Sequence, residues 1–252
     1  MSYLVFSTPV TIATFNIQRL EGCPEKVADT IAKFDICGLQ EVPGLAKLKA
    51  TLNPYGNFEV LFDHSYFSYG NGIAYRKDLF RVVKTVTHVL RNKPNKKTAF
   101  EVVFEFLAGG SPPFTVVVTH LDHKSENARL AEVEKLLVFL PATTILLGDF
   151  NSLKRDDYTD EEWDAIEQSR KDTQWESCRT DVVGKILGDN VLGFQDVLGD
   201  FGKVRPTCRF DTRIDYIFVP RCDLFYVKDA SVVESGDASD HKPVAARILV
   251  TR

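Results

Sequence analysis

Residues 143–152 read TTILLGDFNS. The β-branched and aliphatic run ending at Leu147 is of the kind that fills a strand buried on both faces. It breaks at Gly148, which tolerates tight backbone geometry, and then delivers Asp149 and Asn151. Alternation in an extended chain puts those two side chains on one side, where both can face a single ligand. That spacing suits a carboxylate that orients a water or a metal and an amide that donates to a phosphate oxygen. A plain Gly-Asp turn is the competing reading.

Outward from this stretch, similar β-type runs occur at 10–17, 36–42, 58–63, 72–77, 79–90, 98–107 and 114–121, and later at 214–219, 224–233 and 244–250. Helical patterns are fewer. One spans 24–34 and opens with Pro24; one spans 126–140 with Leu130, Val133, Leu137 and Leu140 on one face. A third starts at Thr159, has Glu162 at capping-box spacing and runs through Trp163 and Ile166 to about Lys171. Another begins after Thr180. Many strands and few helices along one chain predict two mixed β-sheets packed face to face with helices outside, a four-layer α/β sandwich in a single domain over 1–252. The polar stretch 153–181 reads either as an insertion bordering the substrate or as a surface helix pair.

Bulk properties exclude several classes. With 252 residues, 44% of them hydrophobic and 26% charged, the chain can bury a core without staples. Its five cysteines form no CxxC pair, which argues against a disulfide framework or a zinc site and for reduced thiols in an intracellular protein, cytoplasmic or nuclear. The N-terminal segment alternates like a strand and lacks the features of a secretion signal, and no run is long enough to span a bilayer. A formal charge of −4 leaves no global basic field, so a polyanionic substrate needs local charge or a metal.

Further polar residues stand at strand ends. Asn16 closes TIATFN, Glu41 sits in GLQEV, and His120 ends the apolar run of VVVTHLDH, followed by Asp122 and His123. Asp215 lies in RIDYIFV, and Asp240 and His241 in SDHKPV. A hard cation such as Mg²⁺, or Mn²⁺ in its place, takes oxygen ligands from one or two carboxylates, which Glu41 helped by Asn16 supplies, with Asp240 near it. Asp215 and His241 can form a dyad in which the carboxylate holds the imidazole in one tautomer. Asn71 in SYGNGIAYR and Arg129, closing HLDHKSENAR, are candidate substrate contacts, Asn71 also being compatible with a tight turn. Arg91, Lys93, Lys96 and Lys97 crowd one hairpin turn, and Tyr66, Phe67 and Tyr69 precede Gly70. These suit a phosphate backbone and bases, or else a solvated turn and ordinary packing.

With LQE upstream of GDFN and SDH in that order, the chain resembles the endonuclease/exonuclease/phosphatase superfamily. Its members include deoxyribonuclease I, abasic-site endonucleases, neutral sphingomyelinases, inositol polyphosphate 5-phosphatases and tyrosyl-DNA phosphodiesterases. The resemblance runs from Asn16 to His241. It implies that Glu41 binds the metal with help from Asn16 and Asp240, that Asp149 and Asn151 orient the water and the phosphate, and that His241 is the base held by Asp215. His120 matches a second histidine that stabilises charge on the phosphoryl oxygens or assists the leaving group. Some relatives pair it with a Glu that SYGNGIAYR lacks, which weighs against a strong acid role.

The leading expectation is a Mg²⁺-dependent phosphodiesterase acting on nucleic acid, a nuclease or end-processing enzyme. The alternative is a phosphatase or phosphodiesterase for a small or lipid-derived substrate such as an inositol phosphate or sphingomyelin. It is weakened by the lack of an apolar docking hairpin. A binding module on the same fold would not need all eight of Asn16, Glu41, His120, Asp149, Asn151, Asp215, Asp240 and His241.

Overall fold

The computed structural model describes residues 7–63, 69–92 and 96–251. In chain order it runs β1 (Ser7–Asn16), α1 (Pro24–Ile31), β2 (Ile36–Val42), α2 (Leu45–Leu52), β3 (Phe58–Phe62), β4 (Gly70–Arg76), β5 (Phe80–Arg91) and β6 (Lys97–Phe106). There follow β7 (Phe114–His120), α3 (Glu126–Leu137), β8 (Thr144–Asp149), α4 (Asp160–Asp172), α5 (Asp181–Leu187), β9 (Phe194–Asp196) and α6 (Val197–Phe201). The chain closes with β10 (Asp215–Pro220), β11 (Phe225–Val232) and β12 (Val244–Thr251).

Two six-stranded sheets result, ordered β11-β12-β1-β2-β4-β3 and β5-β6-β7-β8-β10-β9. Each is mixed: β1 and β2 are parallel, as are β7 and β8, and the other pairings are antiparallel. Strand parity sorts the apolar side chains into layers. Ile12, Ile36, Ile73, Val118, Leu147 and Ile217 meet in one core between the sheets. Ala13, Cys37 and Leu39 point the other way, against Val27 and Ile31 of α1 and Leu48 of α2. Val117, Leu146 and Phe218 do the same against Val133 of α3 and Val183 of α5. This is the expected four-layer sandwich. The sheets pack tightly at Gly38, where a Cβ would lie 2.0 Å from Leu147 Cδ1 and 2.8 Å from Val118 Cγ2.

Every β-type run found in the sequence is a strand, with ends that agree within three residues. Three elements go beyond that reading. β9 is three residues long and too short to show alternation, and α6 is five. In α2 the leucines at 45, 48 and 52 follow helical spacing, but its eight residues are too few for the period to stand out. The capping box of α4 forms as spaced: Thr159 accepts from Glu162 N at 3.2 Å and Glu162 from Thr159 N at 2.8 Å.

Candidate active site

The parity that builds the inter-sheet core also delivers the polar residues. On β7, β8 and β10 the inward positions are Val118, Leu147 and Ile217, and two residues toward the same end of the sheet lie His120, Asp149 and Asp215. His120 is the register partner of Asp149, and Asp149 of Asp215, so three adjacent strands present three side chains in a row. On the facing sheet Asn16 and Asn71 extend the inward rows of β1 and β4. Glu41 breaks the rule. Simple alternation on β2 would turn it outward, but a register shift between Leu39 and Val42 and a left-handed φ of 53° at Glu41 re-aim it.

Asn16 joins the two sheets, its amide nitrogen donating to Asp149 Oδ2 at 3.1 Å and to Glu41 Oε1 at 3.5 Å, while its Oδ1 accepts from Gln18 N at 3.0 Å. Asn16 therefore stands between the two carboxylates. The 239–241 loop is stapled beside it: Ser239 Oγ donates to Asn16 O at 2.7 Å and Asp240 N to Gln18 Oε1 at 3.2 Å. Asn151, left-handed at φ 51°, donates from its backbone to Asp149 Oδ1 at 3.0 Å and from its amide to Leu121 O at 3.2 Å.

His241 Nδ1 lies 2.9 Å from Asp215 Oδ2, and its Nε2 is 3.9 Å from Asp149 Oδ2. Burial disfavours the imidazolium, but the attraction and hydrogen bond of Asp215, with Asp149 behind them, outweigh it and raise the pKa to about 10. Asp149 is pushed up to about 7 by burial and by the charge of Asp215, against His241, Asn16 and the Asn151 amide. His120, with Nε2 at 3.6 Å from Asp149, is held well below its usual range by burial and by Lys97. Two histidines on one carboxylate are thus driven in opposite directions, as acid and base pairs are when their surroundings differ.

These groups open into a cleft of about 650 Å³ lined by Glu41, His120, Asp149, Asn151, Asp240 and His241. Its rim includes residues the sequence motifs do not mark: Arg19, Lys124, Arg209, Phe210 and, from the 153–181 stretch, Arg170, Gln174 and Trp175. Arg19 follows from three successive left-handed residues, Gln18 to Leu20, which carry its guanidinium over the Tyr69 ring at 4.5 Å. No sequence period marks such a turn. A side pocket of about 250 Å³ adjoins, lined by Asn71, Lys96, Lys97, Thr98, His120 and His123. Asn71 donates to Thr98 O at 3.0 Å and is buried, with its Oδ1 unpartnered.

Arg129 departs from the role of a free substrate-binding cation. It is 3% exposed, and its guanidinium donates to Glu126 at 2.7 Å, Asp122 O at 2.8 Å and Glu176 at 3.2 Å. Its donors brace the cleft wall. Arg91 is likewise committed, to Asp122 at 2.6 Å and Glu132 at 3.2 Å, whereas Lys97 reaches the cleft and donates to Leu121 O at 2.8 Å. Lys93, Tyr66 and Phe67 lie outside the described residues.

The donor chemistry fits a hard divalent cation. Glu41 and Asp240 are 21% and 23% exposed in their side chains, open enough for a partly hydrated ion, and their Arg19 and Arg209 partners at 3.2 and 3.5 Å are surface cations whose hold is weak. Asp149, Asp215 and His241 also offer ligand atoms within 4.8 Å of one another. In that trio Asp215 already pairs with the imidazole at 2.9 Å.

Two facing sheets whose strand ends bring carboxylates, amides and a His–Asp dyad into one cleft define a class of phosphoric ester hydrolases. The chain belongs to the Endonuclease/Exonuclease/phosphatase family, whose model matches residues 13–241. Among solved structures it is similar to the endonuclease/exonuclease/phosphatase from Bacteroides vulgatus, at 22% identity over 96% of this chain and 99% of that one, TM-score 0.73. It is also similar to the mannosyl-6-phosphatase of Bacteroides thetaiotaomicron, at 20% over 95% and 99%, TM-score 0.67. D. rerio TDP2, complexed with single strand DNA product, matches at 14% over 96% and 99%, TM-score 0.69. At these identities the likeness shows the fold. No curated protein matches the sequence.

Proposed function

We propose that this chain is a Mg²⁺-dependent phosphodiesterase, able to use Mn²⁺, that acts on nucleic acid as a nuclease or end-processing enzyme. The observation that carries the reading is the Asp215–His241 pair at 2.9 Å, aimed at Asp149 in a cleft that also holds Glu41 and Asp240. Asp215 fixes the tautomer, so that Nε2 of His241 is the atom that takes a proton from the attacking water. Asp149 and Asn151 position that water and the phosphate, and neutral His120 donates a hydrogen bond to the phosphoryl oxygens. A divalent cation held by Glu41 and Asp240 would polarise a phosphoryl oxygen, offset the charge of the transition state and draw His241 down toward the working pH.

Support for a nucleic acid comes from Arg19, Lys97, Lys124, Arg170 and Arg209 around the cleft and from Tyr69, Trp175 and Phe210 among them. The likeness to TDP2 complexed with DNA product agrees with it. A small phosphorylated sugar or inositol is the competing substrate, favoured by the modest cavity and by the likeness to a mannosyl-6-phosphatase. No helix among the described residues is long and apolar enough to cross a membrane. The five free thiols favour an intracellular setting.

A substrate panel with Mg²⁺ or EDTA tests the proposal. Single-stranded DNA, RNA and 5′-tyrosyl DNA should be cleaved, and EDTA should abolish the reaction. Phosphate release from inositol phosphate or mannose 6-phosphate alone selects the alternative. An undiminished rate in EDTA defeats both.

A further inference from the structure

Trp175 and Phe210 are large apolar rings left 51% and 50% exposed at the mouth of the catalytic cleft. They come from separate segments and meet edge to face, ring centres 5.0 Å apart. Their backbones are held while the rings stay open. Trp175 N donates to Arg170 O at 2.8 Å, and the next residue, Glu176, is gripped by Arg129 at 3.2 Å. On the other side Arg209 N donates to Asp240 O at 3.0 Å, and Cys208 bridges to His241. The segment bearing Phe210 is therefore tied to the loop that carries Asp240 and His241. The Arg209 guanidinium lies 4.8 Å from the centre of the Phe210 ring and 3.5 Å from Asp240, so one cation spans the distance from aromatic face to acidic site.

We propose that Trp175 and Phe210 are a stacking platform for a nucleobase, with Arg209 on the adjoining phosphate, and that they select substrates with a single-stranded nucleotide next to the scissile bond. The inference rests on the phosphoesterase reading above and names its substrate class. Every base presents a π-face, so stacking gives affinity without sequence preference. A lipid tail would cover the two rings but bring no further phosphate to Arg209, whose anionic neighbour among the described residues is Asp240. A sugar monophosphate, with its one phosphate already placed at the catalytic groups, would bring no second phosphate to Arg209 and no base to the rings. Alternating rings and cations match a polyanion whose bases swing clear of its backbone.

The chain has two tryptophans, so Trp163→Phe leaves Trp175 as its sole reporter. In that variant, combined with His241→Ala to prevent turnover, a short thymidine oligonucleotide should quench Trp175 emission. An oligomer of equal length and charge with tetrahydrofuran spacers in place of bases should not. Equal quenching by both, or quenching by mannose 6-phosphate instead, overturns the proposal. If His241→Ala does not fold, the same titration runs on Trp163→Phe in EDTA. Kinetically, Trp175→Ala with Phe210→Ala should lower the preference in kcat/KM for base-bearing over spacer substrate roughly tenfold, through KM. An unchanged preference also overturns it. Absence of hydrolysis of either oligomer by the native chain defeats the nuclease reading instead, while the quenching experiment still reports on the platform.

Discussion

His241 and Asp149 share a few ångströms of buried space in which neither has its ordinary proton affinity. Replacing either with alanine removes a positioned group and leaves the strand pairing intact, because both lie beyond the inter-sheet core. His241→Ala and Asp149→Ala should therefore keep the fold, as read by circular dichroism, and reduce turnover by about 10² to 10⁴, the usual range for acid–base catalysis. A full rate in either variant would remove it from the chemistry. Asp122, two residues past His120, braces the loop instead, accepting from Lys124 N at 2.8 Å, Ser125 N at 2.9 Å and Arg91 at 2.6 Å. Burial opposes its ionisation, but Arg91 and the two amides prevail and bring it from 3.8 to about 2. A depressed carboxyl contributes stability above its unfolded pKa and loses it as pH falls through the folded one. Asp122→Asn should thus cost roughly 1.5 to 3 kcal/mol near neutrality, and the difference from the native chain should vanish near pH 2, as read by urea unfolding.

Among the elements, β8 is held where it is by a missing side chain. A Cβ on Gly148 would lie 2.0 Å from Thr119 O of β7, a backbone atom that cannot move aside without parting the two strands. Gly148→Ala should destabilise the fold by about 1 to 3 kcal/mol and cost activity out of proportion, since Asp149 and His120 are register partners at that seam. Combined unfolding and rate measurements separate the two effects; loss of neither would mean that the strands adjust freely. Glu41 depends on the opposite device, an irregularity that turns one residue against its strand's parity. Its placement is therefore invisible to alternation, although a carboxylate after an apolar run is conspicuous in itself.

Across the whole molecule, two sheets with no global basic charge converge their strand ends on one local cluster of cations and carboxylates. A nucleic acid substrate held by Lys and Arg side chains releases counterions, so KM should rise about sevenfold between 50 and 200 mM salt if two single-strand phosphates are contacted. A flat profile would point to an uncharged or singly charged substrate. Mg²⁺ should also raise the thermal midpoint by binding the native state, and Glu41→Gln should abolish that shift. Strand parity, apolar runs and a capping box are local and periodic, so every strand but the three-residue β9, the sandwich and the residue types of the site were legible in the chain. Beyond the Asp215–His241 dyad, which of those residues meet follows from the folded arrangement. It spent Arg129 and Arg91 on buried carboxylates, turned Glu41 inward through a bulge, and brought Arg19, Arg209, Phe210 and Trp175 to the rim. A side chain's partner is set by the distance between folded strands and loops: Arg91 reaches Glu132, and Trp175 meets Phe210, across stretches of chain with no period to betray the contact.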